Sequence, residues 1–132
     1  MKKKSLSVRT ERQIQLKDVT AQVVQIVRES GVKDGLCVVF NPHTTAGLAI
    51  NENADPDVAT DLEHAFEAMV PAIHFRHAEG NSPGHLLSCV SNHSLQILVE
   101  EGELQLGRWQ GIYFCEFDGP RHRQLWIKVI EA

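Results

Sequence analysis

The chain has 132 residues, of which 42% are hydrophobic and 23% charged, and its formal net charge at pH 7 is −4. This size and composition are typical of a globular unit that folds without a disulfide or structural metal, and we expect a single domain over residues 1–132. The negative charge argues against general binding to nucleic acid, which needs many lysines and arginines on phosphates.

The first predicted elements are a strand and a helix. Residues 5–16 alternate between apolar and polar side chains, and this period of two predicts one half-buried strand. Asp18 or Thr20 then begins a helix that runs to about residue 30, with apolar side chains at helical spacing. Gly31 is placed to end this helix in a left-handed conformation.

Two short strands and a second helix follow. Residues 36–41 are apolar and β-branched, and residues 46–51 come after a tight connection, so both segments are predicted strands. Asp55 is a candidate N-cap, and Pro56 suits the first position of the helix that it begins. Pro71 limits how far this helix extends.

The last third of the chain combines a short helix with strands. Ser82 and Pro83 repeat the cap-then-proline signal and predict a short helix to about Val90. The pattern from Leu95 onward is hairpin-like, and the predicted strands are residues 95–99, 104–106, 108–117 and 124–130. Helices beside a mainly antiparallel sheet predict an α+β fold.

The sequence contains no signal for membrane insertion or export that we can recognise. No apolar run approaches the roughly 20 residues that span a bilayer, and no apolar segment follows the basic run at residues 2–4. The cysteines Cys37, Cys89 and Cys115 are odd in number and far apart, which favours free thiols in a reducing compartment. We therefore expect a cytoplasmic protein with no membrane partner.

Polar residues collect at three breaks between the predicted elements, where functional sites are usually built. The three groups are residues 41–45 with 51–55, residues 77–81 with His85, and residues 109–110 with 118–123. Imidazoles and carboxylates together suit a divalent transition metal, and zinc in catalytic sites takes three protein ligands plus water. The usual metal-binding spacings H-x-H, H-x-x-x-H and C-x-x-C are missing, so spacing alone favours a surface or hydrogen-bonded role for each histidine.

Carboxylates and arginines at the same breaks have two interpretations each. Glu52 lies at a strand end, where a carboxylate can act as acid or base, whereas an N-cap role fully explains Asp55. Arg121 and Arg123 follow a turn and can bind a phosphate in a planar, bidentate way, or they can be a solvated end of a hairpin. The donors Thr44, Thr45 and Asn81 can orient a phosphate or a water.

Taken together, these stretches resemble the YjbQ family of small bacterial and archaeal proteins, whose members are also called secondary thiamine-phosphate synthases. The matching stretches are residues 43–45, 50–58, 61–62, 102–107, 109–113 and 118–121, together with His77, Asn81, His85, Leu86 and Arg123. The likeness extends over nearly the whole chain, from about residue 6 to residue 130.

The resemblance implies a β-sandwich-like α+β fold, with two main helices and one short helix, that assembles as a homotrimer. It also implies a polar pocket near a subunit interface that holds a divalent metal, either zinc or magnesium. The metal ligands that it implies are His43, His77 and His85. The catalytic residues are Glu52, Asp55 and Arg121, and the substrate-binding residues are Thr44, Thr45, Asn81, Trp109 and Arg123.

Two functions and one purely structural interpretation, a trimer whose polar residues only seal its interface, remain open on these grounds. The first is an enzyme, a metal-assisted, thiamine-phosphate synthase-like transferase that acts on a small phosphorylated heterocycle. The alternative is a trimer that binds a metal or a metabolite in the same pocket without turning it over.

Overall fold

Eight strands and three helices make up residues 2–132, the part of the chain that the computed structural model describes. The helices are α1 (Thr20–Ser30), α2 (Pro56–Ala68) and α3 (Ser82–Val90). The strands are β1 (Lys4–Arg9), β2 (Gln15–Asp18), β3 (Gly35–Phe40), β4 (Ala46–Glu52), β5 (Ser94–Glu100), β6 (Glu103–Leu104), β7 (Gln110–Glu116) and β8 (His122–Glu131). This mixture confirms the predicted α+β class.

The strands form two antiparallel sheets. The larger sheet has the order β1-β8-β3-β5-β6, and the smaller has the order β2-β7-β4. One apolar cluster fills the space between the sheets and includes Val39, Leu48, Phe114 and Ile127, together with side chains of α1. A second cluster covers the other face of the smaller sheet, where Leu87 of α3 and the apolar side of α2 pack.

Strand β7 is buried on both faces because it is the central strand between these two clusters. Ile112 and Phe114 point into the first cluster, whereas Tyr113 and Cys115 point into the second. A strand covered on both sides needs apolar residues at successive positions, which explains its continuous apolar run.

The strand that we predicted over residues 5–16 is two strands in different sheets. β1 pairs with β8 in the larger sheet, and β2 pairs with β7 in the smaller. Between them residues 10–14 lie outside any strand, although the N–H of Thr10 still donates to the carbonyl of Arg121 in the register of β1 and β8. A chain that changes sheets must leave the first ladder before it joins the second. The alternation of apolar and polar residues continues through this connection, so the sequence does not show where the first strand ends.

The predicted pairing of the last two long strands is also wrong. β7 pairs with β2 and β4, whereas β8 pairs with β1 and β3, so residues 117–121 carry the chain from one sheet to the other. The hairpin in this region joins β5 to β6 through Glu101 and Gly102, whose φ angles are 52° and 80°. The predicted strand at 104–106 is only Glu103–Leu104.

The predicted helix positions agree with the structure, but two predicted caps are wrong, since the N-cap of α1 is Val19 and that of α3 is Asn81, neither with a side-chain cap bond. The Asp55 carboxylate accepts a hydrogen bond from the N–H of Asp57 at 2.9 Å, and Pro56 is the first residue of α2. Gly31 ends α1 with φ at 73°, a conformation that glycine adopts without steric cost. These local signals positioned the helices correctly.

A buried ion pair joins the two sheets at the end where the chain passes between them. Glu116 of β7 is fully buried and Arg123 of β8 is 5% exposed. Arg123 Nε donates to Glu116 Oε1 at 2.9 Å, and its Nη2 donates to the other carboxylate oxygen and, at 2.9 Å, to Thr45 Oγ1. Glu116 also accepts from Thr10 Oγ1 at 2.8 Å and from the N–H of Asp118 at 3.1 Å.

A second carboxylate fastens α2 to the smaller sheet. Glu63 accepts two hydrogen bonds from Arg12, at 2.9 and 3.0 Å, and one from the N–H of Leu16 at 2.8 Å. Burial by itself raises the pKa of the Glu63 carboxyl, but the bonds from Arg12 and Leu16 outweigh burial, so the pKa lies below its ordinary value. Glu63 therefore stabilises the fold in its ionised form.

We expect Arg123→Met to lower the free energy of unfolding by about 3–5 kcal/mol, because it leaves the Glu116 carboxylate buried without a cation. Urea unfolding at one fixed protein concentration measures the change. The matched control is Arg28→Met, since Arg28 and its partner Glu103 form an ion pair with both side chains more than half exposed. We expect Arg28→Met to lower the free energy of unfolding by less than about 1 kcal/mol. Equal losses in the two variants would contradict a structural role for the buried pair.

The lowered pKa of Glu63 predicts a pH-dependent contribution to stability. The contribution is complete above the unfolded-state pKa of about 4.3 and is lost as the pH falls through the lower folded-state pKa. The stability difference between the native chain and Glu63→Gln should therefore be largest near neutral pH and shrink below about pH 4. Urea unfolding over that range measures it, with Arg12→Met as a second variant that should show the same trend. A difference that is constant with pH would contradict this account.

Candidate functional site

The residues around the beginning of α3 bring together several of the predicted site residues. The N–H of Gly80 donates to the carbonyl of His77 at 3.2 Å, and the N–H of His85 donates to the carbonyl of Asn81 at 3.2 Å. These two turns place the imidazoles of His77 and His85 edge to face, with ring centroids 5.6 Å apart. Both side chains are exposed. A pair of imidazoles thus faces solvent beside the helix N-terminus.

Asn81 connects this loop to the turn after β7. Its Nδ2 donates to Glu79 Oε2 at 3.1 Å and to Asp118 Oδ2 at 2.9 Å. Its Oδ1 is buried and has no hydrogen-bond partner within residues 2–132. The orientation of the amide is fixed, because the opposite one would place Oδ1 against two carboxylates.

Arg121 is held beside the same carboxylate. Its Nε donates to the carbonyl of Asp118 at 2.8 Å, and its Nη2 donates to Asp118 Oδ2 at 2.9 Å. The Arg121 side chain is 46% exposed. A guanidinium has five N–H donors in a fixed fork, so these two bonds leave other donors directed towards solvent.

Thr44 lies at the other side of the same helix. Its exposed side chain lines a cavity of about 260 Å³ with His85, Ser88, Cys89 and His93. These side chains around the beginning of α3 form one polar group, which we call the α3 cluster. Its members are Thr44, His77, Glu79, Asn81, His85, Asp118 and Arg121.

His43 has a different environment from the other two histidines that we predicted as metal ligands. Its Nε2 lies 3.0 Å from both the backbone N and the backbone O of Gln124, so only Nδ1 is left for a ligand. Burial lowers the pKa of His43, and the positive charge of Arg123 lowers it further. His43 is therefore kept neutral beside the backbone of β8.

The three predicted histidine ligands do not form one metal site within a chain. No group of three or more His, Cys, Asp or Glu residues in the described chain, residues 2–132, is arranged to hold a metal ion. Two imidazoles that share a tetrahedral zinc, each about 2.1 Å from it, have ring centroids roughly 5 Å apart. The spacing of His77 and His85 fits two ligands to one ion, but a third ligand has to come from elsewhere.

The predicted substrate residues Thr45 and Arg123 are buried in the ion-pair network between the sheets. Their polar atoms are engaged by each other and by Glu116, and Thr45 is 5% exposed. This geometry gives both residues a structural role, and contact with a substrate stays a prediction.

Glu52, Asp55 and Trp109 lie at the opposite end of β4 from Thr44. The seven residues of β4 separate the two ends by roughly 20 Å at about 3.3 Å per residue. The N–H of Asn53 donates to the carbonyl of Trp109 at 3.1 Å, which brings Trp109 to this far end. The Trp109 side chain is 55% exposed, and the Asp55 carboxylate is engaged as the N-cap of α2. A single chain therefore does not bring these three residues to the α3 cluster.

A cavity beside α2 contains residues that the sequence analysis did not select. It has a volume of about 460 Å³ and lies between α2, α3 and the loop before β2. Glu63, His64 and Glu67 of α2 line it, as do Asn81 and Asp118 of the α3 cluster. The signal that could have indicated Glu63 is its position beside the apolar stripe of α2.

The five-residue pattern G-x-S-x-G was also missed, at residues 80–84. In hydrolases this pattern forms a strand–turn–helix elbow that exposes a nucleophilic serine. Here an irregular segment precedes Ser82, which is the first residue of α3. The structure therefore gives Ser82 the position of a helix start and not that of an elbow nucleophile.

All three cysteines are free thiols, as predicted. Burial raises the pKa of Cys37 to about 11 and that of Cys115 to about 12. These two thiols are therefore protonated near neutral pH and are poor nucleophiles.

Within residues 2–132, the helices are all too short or too polar to cross a membrane.

Comparisons with known proteins agree with the architecture. The family described as "UPF0047 protein YjbQ-like" matches residues 4–132. UPF0047 protein YugU of Bacillus subtilis is 45% identical over 129 residues, covering 96% of this chain and 98% of the relative. UPF0047 protein MJ1081 of Methanocaldococcus jannaschii is 44% identical over 124 residues, covering 93% and 90%.

Solved structures show the same fold. An uncharacterized conserved protein of the YjbQ/UPF0047 family from Clostridium acetobutylicum superposes with a TM-score of 0.91 at 49% identity, covering 96% of this chain and 98% of that one. The hypothetical protein APE1520 from Aeropyrum pernix superposes with a TM-score of 0.92 at 37% identity, with both chains fully covered. The family match over nearly all residues, together with these relatives, shows that the chain belongs to the UPF0047 YjbQ-like family.

Proposed function

We propose that this chain is a small-molecule enzyme that acts on a phosphorylated heterocycle, as a transferase of the thiamine-phosphate synthase type. The observation that carries the proposal is the α3 cluster, in which two exposed imidazoles and a partly exposed guanidinium are joined through Asn81 and Asp118. Imidazole transfers protons near neutral pH, and guanidinium binds phosphate oxygens in a bidentate way. Departure of a diphosphate requires both a proton donor and a cation that binds its phosphate oxygens.

The roles follow from which atoms are already engaged. Asp118 holds Arg121 through its carbonyl and its carboxylate, so the remaining guanidinium donors bind the diphosphate. Asn81 fixes the Asp118 carboxylate from the other side. Thr44 adds a hydroxyl donor at the helix, close to His85.

The reaction that suits this arrangement joins two rings. The bond between carbon and the diphosphate oxygen breaks, the diphosphate leaves with the electron pair, and the same carbon bonds to a ring nitrogen of the second heterocycle. Positive charge on Arg121 stabilises the departing anion, and His77 or His85 supplies a proton to it.

A divalent ion, zinc or magnesium, remains part of the proposal in a limited form. His77 and His85 supply two ligands at compatible spacing, and the third comes from a substrate phosphate or from another chain. A bound ion would add positive charge for the diphosphate. None of the roles given above depends on it.

We also propose that the chain assembles as a homotrimer through the outer face of the larger sheet. Phe40 stacks on Trp126 there, with ring centroids 5.9 Å apart. Leu36 pairs with Leu98 on one side and with Ile130 on the other, and the last two are 60% and 43% exposed. Contiguous exposed apolar surface of this kind is typical of protein interfaces.

Assembly also bears on the catalytic roles predicted for Glu52 and Asp55. Because these carboxylates lie roughly 20 Å along β4 from the α3 cluster of their own chain, they can serve that cluster only from a neighbouring copy. A trimer that brings the two ends together would complete the predicted set of residues.

His85→Gln should lower the rate of product formation at least about a hundredfold, because it removes a proton-transfer group from the α3 cluster. The assay mixes hydroxymethylpyrimidine diphosphate with thiazole phosphate and follows thiamine phosphate. His74→Gln is the matched control, an exposed histidine in the same loop, and should retain full activity. Circular dichroism checks that both variants are folded.

Two results would count against the enzyme. Full activity in both His85→Gln and the matching His77→Gln would remove the α3 imidazoles from the mechanism, and product that never exceeds one equivalent per chain would favour the non-catalytic binding trimer. Elemental analysis of tag-free protein, beside His85→Ala, tests the metal in the same preparations. Metal that is present in the native chain and absent from His85→Ala supports ligation by His85, whereas equal metal in both excludes it.

Leu98→Glu should dissociate the trimer, because it places a charge in the apolar sheet face. Light scattering after size-exclusion chromatography should give the mass of three 14.8 kDa chains for the native protein and of one for the variant. Gln22→Glu, on the exposed side of α1, is the control and should leave the mass unchanged. A trimer that survives Leu98→Glu would exclude this face as the interface.

A further inference from the structure

The 460 Å³ cavity between α2 and α3 has the size of a small-molecule site and a mixed polar and apolar lining. Its volume falls in the range of about 300–1,000 Å³ that is typical of ligand pockets. Its apolar lining is formed by Ile14, Val70 and Pro83, together with the edges of Leu87 and Phe117, which are otherwise buried. The cavity can therefore take a compact apolar ring or chain.

The charges on the polar lining leave a negative excess. The positive charge of Arg12 is engaged by Glu63, and Asp118 is paired with Arg121 outside the lining. Glu67, one turn after Glu63 on α2, takes part in none of the ion pairs formed by residues 2–132. A ligand with positive charge would compensate this carboxylate.

A second, independent observation concerns hydrogen bonding. Asn81 Oδ1 is a buried acceptor without a donor within residues 2–132, and the two bonds made by Nδ2 prevent the amide from reversing. Buried acceptors are almost always paired, so an unpaired one beside a cavity indicates a missing donor. An N–H group of a ligand would supply it after a small rotation of the side chain.

We propose that this cavity binds a small organic cation with N–H donors on an apolar body, a protonated amine being the simplest case. The apolar lining takes the body, the Glu67 carboxylate takes the charge, and Asn81 Oδ1 accepts an N–H. His77, His85 and Arg121 do not line the cavity, so the proposal does not depend on phosphate chemistry at the α3 cluster.

Three probes that share one ring separate charge from shape. Benzylamine is protonated at neutral pH, benzyl alcohol is neutral, and benzoate is an anion. Titration into the ¹⁵N-labelled full chain should move the amide signals of Gly80, Gly84, Leu87 and Phe117 with benzylamine at millimolar concentration. Benzyl alcohol should bind at least about tenfold more weakly, and benzoate should leave those signals in place.

Two variants test the contacts. Glu67→Gln should weaken benzylamine about threefold to fivefold without changing the weak binding of benzyl alcohol, since a partly exposed ion pair contributes less than about 1 kcal/mol. Val70→Trp should fill the cavity and abolish binding. Glu100→Gln, an exposed carboxylate on β5 of the larger sheet, is the control and should bind as the native chain does.

The proposal fails if benzyl alcohol binds as tightly as benzylamine, or if benzylamine moves no lining amide at millimolar concentration. Unchanged affinity in Glu67→Gln would also overturn it, and that variant keeps the test decisive even if Val70→Trp does not fold. Loss of transferase activity in His85→Gln has no bearing on these outcomes, because His85 lies outside the cavity.

Discussion

Two buried charges, Glu116 and Arg123, hold together the end of the sandwich where the chain changes sheets. One crossing runs from β1 to β2 past Thr10, and the other runs from β7 to β8 through residues 117–121. Thr45 stands at the start of β4 in the smaller sheet. Burying two charges costs free energy unless both are paired and hydrogen-bonded, and here the hydroxyls of Thr10 and Thr45 and a backbone N–H complete the set.

The α3 cluster is connected to this ion pair by short steps. The N–H of Asp118 donates to Glu116, and the carboxylate of Asp118 then accepts from both Asn81 and Arg121. Asn81 in turn immediately precedes α3, one turn before His85. The positions of the exposed imidazoles and guanidinium therefore rest on a carboxylate that is fully buried in the neighbouring strand. A substitution of Glu116 would therefore displace the exposed side chains of the α3 cluster, although Glu116 itself contacts no ligand.

The sequence was sufficient for features that depend on neighbouring residues. Asp55 and Pro56 indicated the start of α2, Gly31 indicated the end of α1, and the motifs around His43 and Trp109 identified the family. It was not sufficient for pairing between distant strands, because an alternating pattern does not say which sheet a strand joins. For this reason residues 5–16 were predicted as one strand, and β7 and β8 as neighbours.

In the candidate site, too, the sequence was sufficient for residues that are close together along the chain and not for residues that are far apart. His77, Asn81 and His85 are near one another in sequence and in space, whereas Glu52 and Trp109 lie at the far end of β4. His43 Nε2 is engaged by the backbone of Gln124. A usable signal for the ion pair was present. Arg123 shares the inward parity of Leu125, Ile127 and Val129, and Glu116 stands inside the apolar run of β7. A charge at an inward position of each strand requires a buried partner of opposite sign.

The most direct test of the central claim is a titration of the ¹⁵N-labelled protein with inorganic pyrophosphate, followed through its amide signals. If the α3 cluster binds the diphosphate, the largest shifts will occur at Asn81, His85 and Arg121, and Arg121→Gln will abolish them while the fold is retained. Pyrophosphate that leaves these three signals unmoved, or that binds Arg121→Gln as it binds the native chain, would contradict the assignment of this end of the molecule as the working site.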